Sequence, residues 1–418
     1  VTGKRRENAV APRSGPSAAP ADEGAATPLY LDSAEDADRF LTAIGAARRL
    51  ALDTEGASFH RFVDRIYLMQ LSTDASHAIL DPLRIPSLDQ LGALLESREV
   101  EVVFHDADYD LRLLHQDYGW RTVNIFDTRV AAQLLGIRTF GLAALLERFF
   151  GVKLDKKHQR ADWSMRPLST DMLEYAAQDT LHLLGLRDRL RDDLERAGRW
   201  HWAQEEFARL EGTRWETDDQ STAFLRIKGA RDLSRRELAL LRELAVWRDS
   251  VAAGMDRATF RVVANDVLLE LAQRPPESAA HISGMKGLGA RIASQRGSEI
   301  LEAIARGKAV AENDLPRFPK APRWDRDPNF DERVTRLKRA RDEAAQRLDL
   351  DPGVLCGRER LEAVARKNPQ SLESLAAIPE LRRWQVEELG EAFVAALRNG
   401  VTAAAASTGA AGSPYRDG

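Results

Sequence analysis

Met172–Leu190 reads MLEYAAQDTLHLLGLRDRL. Met172, Ala176, Asp179, Leu183, Leu186 and Leu190 recur at steps of four and three, the spacing of one core-facing helical side. Asp179 stands where that stripe asks for a leucine. A lone carboxylate in such a place is costly to bury unless something positive meets it. The stripe contains no Lys or Arg, so a bound divalent cation is the expected partner. Other acids of the chain are then candidates for the remaining ligands.

Upstream the pattern alternates between strands and helices. Leu29–Leu31, Arg49–Asp53, Ile66–Ser72, Ala78–Leu80 and Val100–Phe104 read as strands. Ser33 is placed to cap a helix running to about Ala47, a second helix falls near Leu88–Glu96, and a third runs from Asp108 to Tyr118, closed by Gly119. From Thr128 to about Glu211 the signal is mainly helical. Neighbouring strands followed by strand–helix units predict an α/β domain with a mixed sheet flanked by helices.

Two further groups of acids lie on these elements. Asp53 and Glu55 are two apart at the end of an apolar strand, so both side chains point to one face. Taken alone such a pair is more often a solvated strand end. Asp106, Asp108 and Asp110 follow the strand ending at Phe104. Asp106 or Asp108 is expected to cap the next helix, which leaves Asp110 near the inward face. Tyr175 and Asp179, four apart, share one helix face. Four carboxylates can hold two hard cations a few ångströms apart. In that arrangement one ion activates water and the other stabilises the leaving oxygen of a phosphodiester.

Asp53-Thr54-Glu55, the H-x-x-x-x-D run from His105 to Asp110, and the Y-x-x-x-D run from Tyr175 to Asp179 occur in that order. With Gln159–Asp179 (QRADWSMRPLSTDMLEYAAQD), they make the chain resemble the ribonuclease D-type 3′–5′ exonucleases of the DEDD superfamily, tyrosine subtype. The resemblance implies a ribonuclease H-like exonuclease domain that uses two divalent cations, Mg2+ or Mn2+. It implies that Asp53, Glu55 and Asp179 hold one ion, that Asp53 also binds the second with Asp110, and that Tyr175 positions the attacking water. It suggests His105 near the terminal nucleotide, although a histidine at a strand end is more often structural, and Arg166 on a phosphate, with packing at least as strong a role for Trp163. Gly56–Arg65 departs from the common family wording, which leaves Phe59 and Phe62 as base-stacking candidates only.

Beyond a linker near Gly212–Ala223 the chain is helical and repeats itself at an offset near 93 residues. Leu268–Ala272 matches Leu361–Ala365, Pro275 matches Pro369, and Glu299–Ile304 matches Ala392–Leu397. The two copies resemble HRDC domains. Expected boundaries are 1–27 disordered tail, 28–212 exonuclease domain, 224–310 first HRDC-like domain, 311–328 linker, 329–400 second HRDC-like domain and 401–418 disordered tail. Lys286-Gly287-Leu288-Gly289 with Arg291 is equally readable as a phosphate-approaching turn and as a plain helix–helix turn. The basic stretch holding Arg333, Arg336, Lys338, Arg339 and Arg341 is diluted by acids and reads as a solvated helix face.

Composition bounds the function. The 418 residues imply more than one domain, and the net charge of −4 gives no overall attraction for nucleic acid, so metal ions or local patches must supply it. No apolar run approaches a bilayer span, no secretory signal is visible, and the single Cys356 reads as buried filler, which together point to the cytoplasm. No G-x-x-x-x-G-K-[ST] loop occurs, so no nucleotide cofactor is expected. The predicted reaction is hydrolysis from an RNA 3′ end to nucleoside 5′-monophosphates, with transfer RNA precursors or other stable RNA suggested by the resemblance. The rivals are a DNA 3′–5′ exonuclease acting on single-stranded DNA and a nucleic-acid-binding scaffold with a weak site.

Overall fold

The computed structural model describes residues 29–155, 157–217, 219–319 and 327–408. The expected N-terminal tail, residues 320–326 of the 311–328 linker and the last ten residues lie outside them. A six-stranded mixed sheet is built from β1 (Leu29–Leu31), β2 (Arg49–Glu55), β3 (Leu68–Ser72), β4 (His77–Leu80), β5 (Glu101–Phe104) and β6 (Ile125–Asp127), in the order β1-β4-β3-β2-β5-β6. β2 pairs antiparallel with β3 and parallel with β5, so the strand bearing Asp53 and Glu55 is central. Its alternation sorts the two faces. Leu50 and Leu52, with Met69, Leu71, Val102 and Phe104, pack under α1 (Ala34–Ala43), α2 (Asp89–Leu95) and α3 (Asp108–Tyr118). Ala51, Val103 and Phe126 face the opposite core. That core is built from α4 (Thr128–Leu134), α5 (Leu142–Phe150), α7 (Leu183–Arg196) and α8 (Trp200–Leu210), while α6 (Thr170–Leu181) packs in a smaller cluster with Leu68, Ile79 and Trp163.

Two sequence expectations change, and one strand had not been expected. The stripe from Met172 to Leu190 is not one helix. The backbone breaks at His182 (φ −104°, ψ 0°), so α6 lays Asp179 against the sheet while α7 carries Leu183, Leu186 and Leu190 into the helical core. Neither Asp106 nor Asp108 caps α3. Asp106 adopts φ 70° and pairs with Arg129, Asp108 pairs with Arg112, and the buried Asp127 accepts the amides of Asp106 and Ala107. Asp127 also accepts the amides of Arg129 and Val130 and so caps α4 while fixing the turn before α3. Strand β6, which ends in that aspartate, gave no readable signal at three residues.

The helical half consists of α9 (Arg235–Met255), α10 (Thr259–Val262), α11 (Asn265–Gln273), α12 (Ala279–Ser283) and α13 (Ala290–Ala309), then α14 (Phe330–Leu348), α15 (Pro352–Leu355), α16 (Arg358–Lys367), α17 (Leu372–Ala376) and α18 (Arg383–Thr408). The two sets correspond element by element. Both long first helices end on a left-handed aspartate, Asp256 and Asp349, and Ser278 and Ser371 cap the matching short helices. The last helix continues past 401, where a tail was expected. Arg333 and Arg341 are buried, bonded to the carbonyls of Ala365 and Cys356, so the basic stretch of α14 is partly a core feature and not simply a solvated face. Gly287 takes φ 84° in the turn that leads to α13. Cys356 is buried and unbridged.

Each repeat meets the nuclease half differently. Asp256 of the first bonds Arg61 and the amide of Phe62, and Phe260 lies edge-on to Phe59 with ring centres 6.2 Å apart. Thus the first repeat touches the loop that leaves Glu55. The second is fused into the nuclease core through stacked Trp202 and Trp384, 4.7 Å apart, and through Arg199, which bonds the carbonyls of Leu134 and Leu348. No helix among the described residues is long and apolar enough to cross a membrane.

Candidate metal centre

Asp53 and Glu55 occupy the face of β2 that α6 covers, and Asp179 comes down from α6. Ser169 caps α6 by accepting the amide of Met172, and Asp171 sits in its first turn, where negative charge is favoured. The buried Ser72 hydroxyl donates to Thr180 at 2.7 Å and pins the far end of α6 to β3. One carboxylate oxygen from each of Asp53, Glu55 and Asp179 lies within 4.8 Å of the others. Among the described residues no basic side chain pairs with any of the three.

Electrostatics expose the problem this creates. Burial, then the Asp179 charge, pushes the Asp53 carboxyl well above the usual range. Burial followed by Asp53, Asp179 and Asp110 does the same to Glu55. Burial raises Asp179 to about 7. Oxygen ligands alone, packed this closely, suit a hard divalent cation, which would relieve both the desolvation and the mutual repulsion. The cluster fits such an ion.

Asp110 stands beside this trio, not within it. It is buried at the start of α3, and its Oδ1 accepts both the amide (3.1 Å) and the hydroxyl (2.5 Å) of Thr54. Burial, then the Asp53 charge, raises its carboxyl, against the pull of Thr54. Thr54 points away from Asp53 on β2, so it locks one oxygen of Asp110 at the strand end. Tyr175 lies one turn before Asp179, with its ring 5.8 Å from His158 and 6.1 Å from Trp163. Burial, then Asp179, Glu55 and Asp53, drives its hydroxyl far above the ordinary tyrosine value, so the phenol stays protonated.

The remaining sequence candidates are placed elsewhere. All five N–H groups of Arg166 are used inside the protein: Nε and Nη2 grip the fully buried Asp81 at 2.5 and 2.7 Å, and the others reach the carbonyls of Trp163, Met165 and Tyr67. The expected phosphate contact therefore gives way to a structural role, clamping the signature loop onto β3 and β4. Trp163 is 1% exposed among Tyr67, Leu68, Ile79 and Ala176, the packing role foreseen for it. The Thr128 hydroxyl donates to the Phe104 carbonyl, so it accepts from Nδ1 of His105 at 2.9 Å. That fixes the neutral ring with Nε2 as the free acceptor, and burial lowers its pKa to about 4. Phe59 and Phe62 are both exposed.

Gln70 was missed. It is fully buried, directly opposite Asp53 in the β2–β3 register, and neither atom of its amide has a partner. Directly opposed residues share a sheet face, so this unsatisfied amide lies beside the carboxylates. The signal was present in IYLMQLS, a lone amide in an apolar strand.

Comparison with known proteins agrees with this geometry. A family model for 3′–5′ exonucleases matches residues 29–195, and one for the HRDC domain matches 237–304 and 330–397. The ribonuclease D of Granulibacter bethesdensis is 30% identical over 378 residues, covering 90% of this chain and 93% of the relative. That of Cronobacter turicensis is 30% identical, covering 84% and 95%. The crystal structure of Escherichia coli RNase D, an exoribonuclease involved in structured RNA processing, superposes with a TM-score of 0.68 at 26% identity and covers 89% of this chain and 99% of that one. The catalytic core of RRP6 from Trypanosoma brucei gives 0.62 at 28% identity, covering 69% and 81%.

Proposed function

Because the chain belongs to the ribonuclease D family and is a metal-dependent 3′–5′ exoribonuclease, we propose that its reaction runs at the carboxylate cluster and takes RNA with a free 3′ end. Asp53, Glu55 and Asp179 would hold one Mg2+ or Mn2+ ion, and Asp53 with Asp110 would hold a second. When bound, the ions supply an activated water and stabilise the leaving oxygen. Tyr175 keeps its proton and therefore acts as a hydrogen-bonding group that orients the water, not as its base. Thr54 holds Asp110 in place. The ions also offset the acidity of the site and allow an anionic strand to enter. Hydrolysis at the last phosphodiester releases a nucleoside 5′-monophosphate.

Transfer RNA precursors and other structured RNAs are the proposed natural substrates, an assignment supported by the function given for the E. coli relative. Residues 28–212 form the exonuclease unit, with HRDC-like units at 224–310 and 329–400. The single observation that carries the site is the convergence of three carboxylates without a cationic side chain. The test is digestion of 3′-extended transfer RNA beside matched RNA and DNA oligonucleotides, in Mg2+, Mn2+ and EDTA. The proposal requires metal-dependent 5′-monophosphate release with RNA preferred. Digestion that persists in EDTA, or a preference for DNA, would reject it.

A further inference from the structure

Gly56 follows Glu55 directly, and its backbone does not demand glycine, since its φ lies outside the left-handed region. Space does. A Cβ built there would come within 2.2 Å of the Tyr109 hydroxyl and 2.8 Å of Asp64 Oδ1. Tyr109 immediately precedes Asp110 on α3, so its ring lies across the gap between the two segments that deliver Glu55 and Asp110. The ring is held from its far end. Its hydroxyl donates to Asp64 Oδ2 at 2.6 Å, Asp64 Oδ1 accepts the Ala57 amide, and the Asp64 carbonyl accepts Nε2 of Gln116 at 2.7 Å. Tyr109 is nevertheless 43% exposed. A large ring anchored at its hydroxyl, made possible by a missing side chain and bared beside an acidic metal site, matches no packing need of the core.

We propose that the exposed face of Tyr109 is the stacking surface for the base of the 3′-terminal nucleotide, and that Gly56 is a glycine because a side chain there would displace this ring. Unpaired bases are commonly held on aromatic faces, which read no sequence because every base offers a π-surface. A fixed ring loses little freedom on binding. The proposal rests on the carboxylate cluster being the hydrolytic site. It adds how the terminal nucleotide is held there before hydrolysis.

The test pairs Tyr109→Ala, Tyr109→Phe and Gly56→Ala with RNA oligonucleotides that end in either a normal or an abasic 3′ residue. Tyr109→Ala should raise KM for the normal end roughly 5- to 150-fold, the range for one lost stack, with kcat changed far less and Mn2+ affinity unchanged by titration. Tyr109→Phe, which keeps the ring and loses its anchor, should fall between. Gly56→Ala should reproduce the KM rise with the ring chemically intact. Removing the terminal base should harm the parent by the same factor and harm Tyr109→Ala no further. Penalties that multiply, or a Tyr109→Ala KM equal to the parent's, overturn the stacking assignment alone. A parent that hydrolyses RNA without metal overturns the underlying site as well.

Discussion

Asp179→Asn should make the metal-free protein more stable and the enzyme inactive. Its carboxyl titrates at about 7 in the fold against an ordinary 3.8. Between those values the native state keeps a proton that the unfolded chain has released, so stability falls as pH rises through that window, and the full penalty applies above it. At ~1.36 kcal/mol per unit the penalty has an upper bound of about 4 kcal/mol. An independent route uses the spacing of the cluster. Two charges within 4.8 Å of each other repel by at least about 3.5 kcal/mol at an effective dielectric of about 20. The two estimates describe overlapping effects and do not add. A gain of ~2–4 kcal/mol is expected in EDTA at pH 8, or on the order of 5–15 °C in Tm at ~2–4 °C per kcal/mol. The gain should vanish near pH 4, where the native carboxyl of the parent is already protonated. Because the Asp179 side chain has no hydrogen bond among the described residues, the amide breaks none. Mn2+ at about a thousandfold excess over Kd should reverse the order, since the parent then gains ~4.1 kcal/mol, enough to cover the ~2–4 kcal/mol deficit, while the variant gains little. Calorimetry at both pH values, with and without Mn2+, reads all four states. An Asn variant that is less stable than the parent in EDTA at pH 8, or that digests RNA equally well, refutes the reasoning.

Gln70→Leu removes two unpartnered buried polar atoms and should raise the metal-free Tm by an amount corresponding to ~1–3 kcal/mol. Mn2+ titration of the same variant should show affinity weakened about 10- to 100-fold, because the Gln70 amide, unpartnered without an ion, faces the carboxylates that would ligate it. Arg166→Ala strands the buried Asp81 and should destabilise by ~3–5 kcal/mol in denaturant melts. A rise in KM with unchanged stability would instead mark Arg166 as a phosphate ligand. His105, lowered to about 4 by burial, binds fewer protons when folded than when unfolded between that value and 6.5. Stability should therefore be lost as pH falls through this window, and His105→Gln should flatten that part of the melt profile.

The sequence carried the sheet because its strands are apolar runs with clear ends, and it carried the carboxylates because each breaks an apolar pattern. Asp179 was legible as a charge in a leucine position, and the repeat was legible as a constant offset. What stayed hidden depends on partners far along the chain. The apolar spacing runs unbroken across His182, where the backbone turns and separates α6 from α7. Asp127 caps α4 and also holds the turn before α3, some twenty residues earlier, and no local motif announces that. Arg166 looked free for phosphate because its five acceptors come from three separate segments of the chain. Gly56 is explained only by where Tyr109 lies.

The most direct measurement of the central claim is an anomalous difference map from crystals soaked in Mn2+. One peak is predicted among the carboxylates of Asp53, Glu55 and Asp179, and a second between Asp53 and the free oxygen of Asp110. Manganese bound elsewhere with nothing between these four side chains would contradict the account.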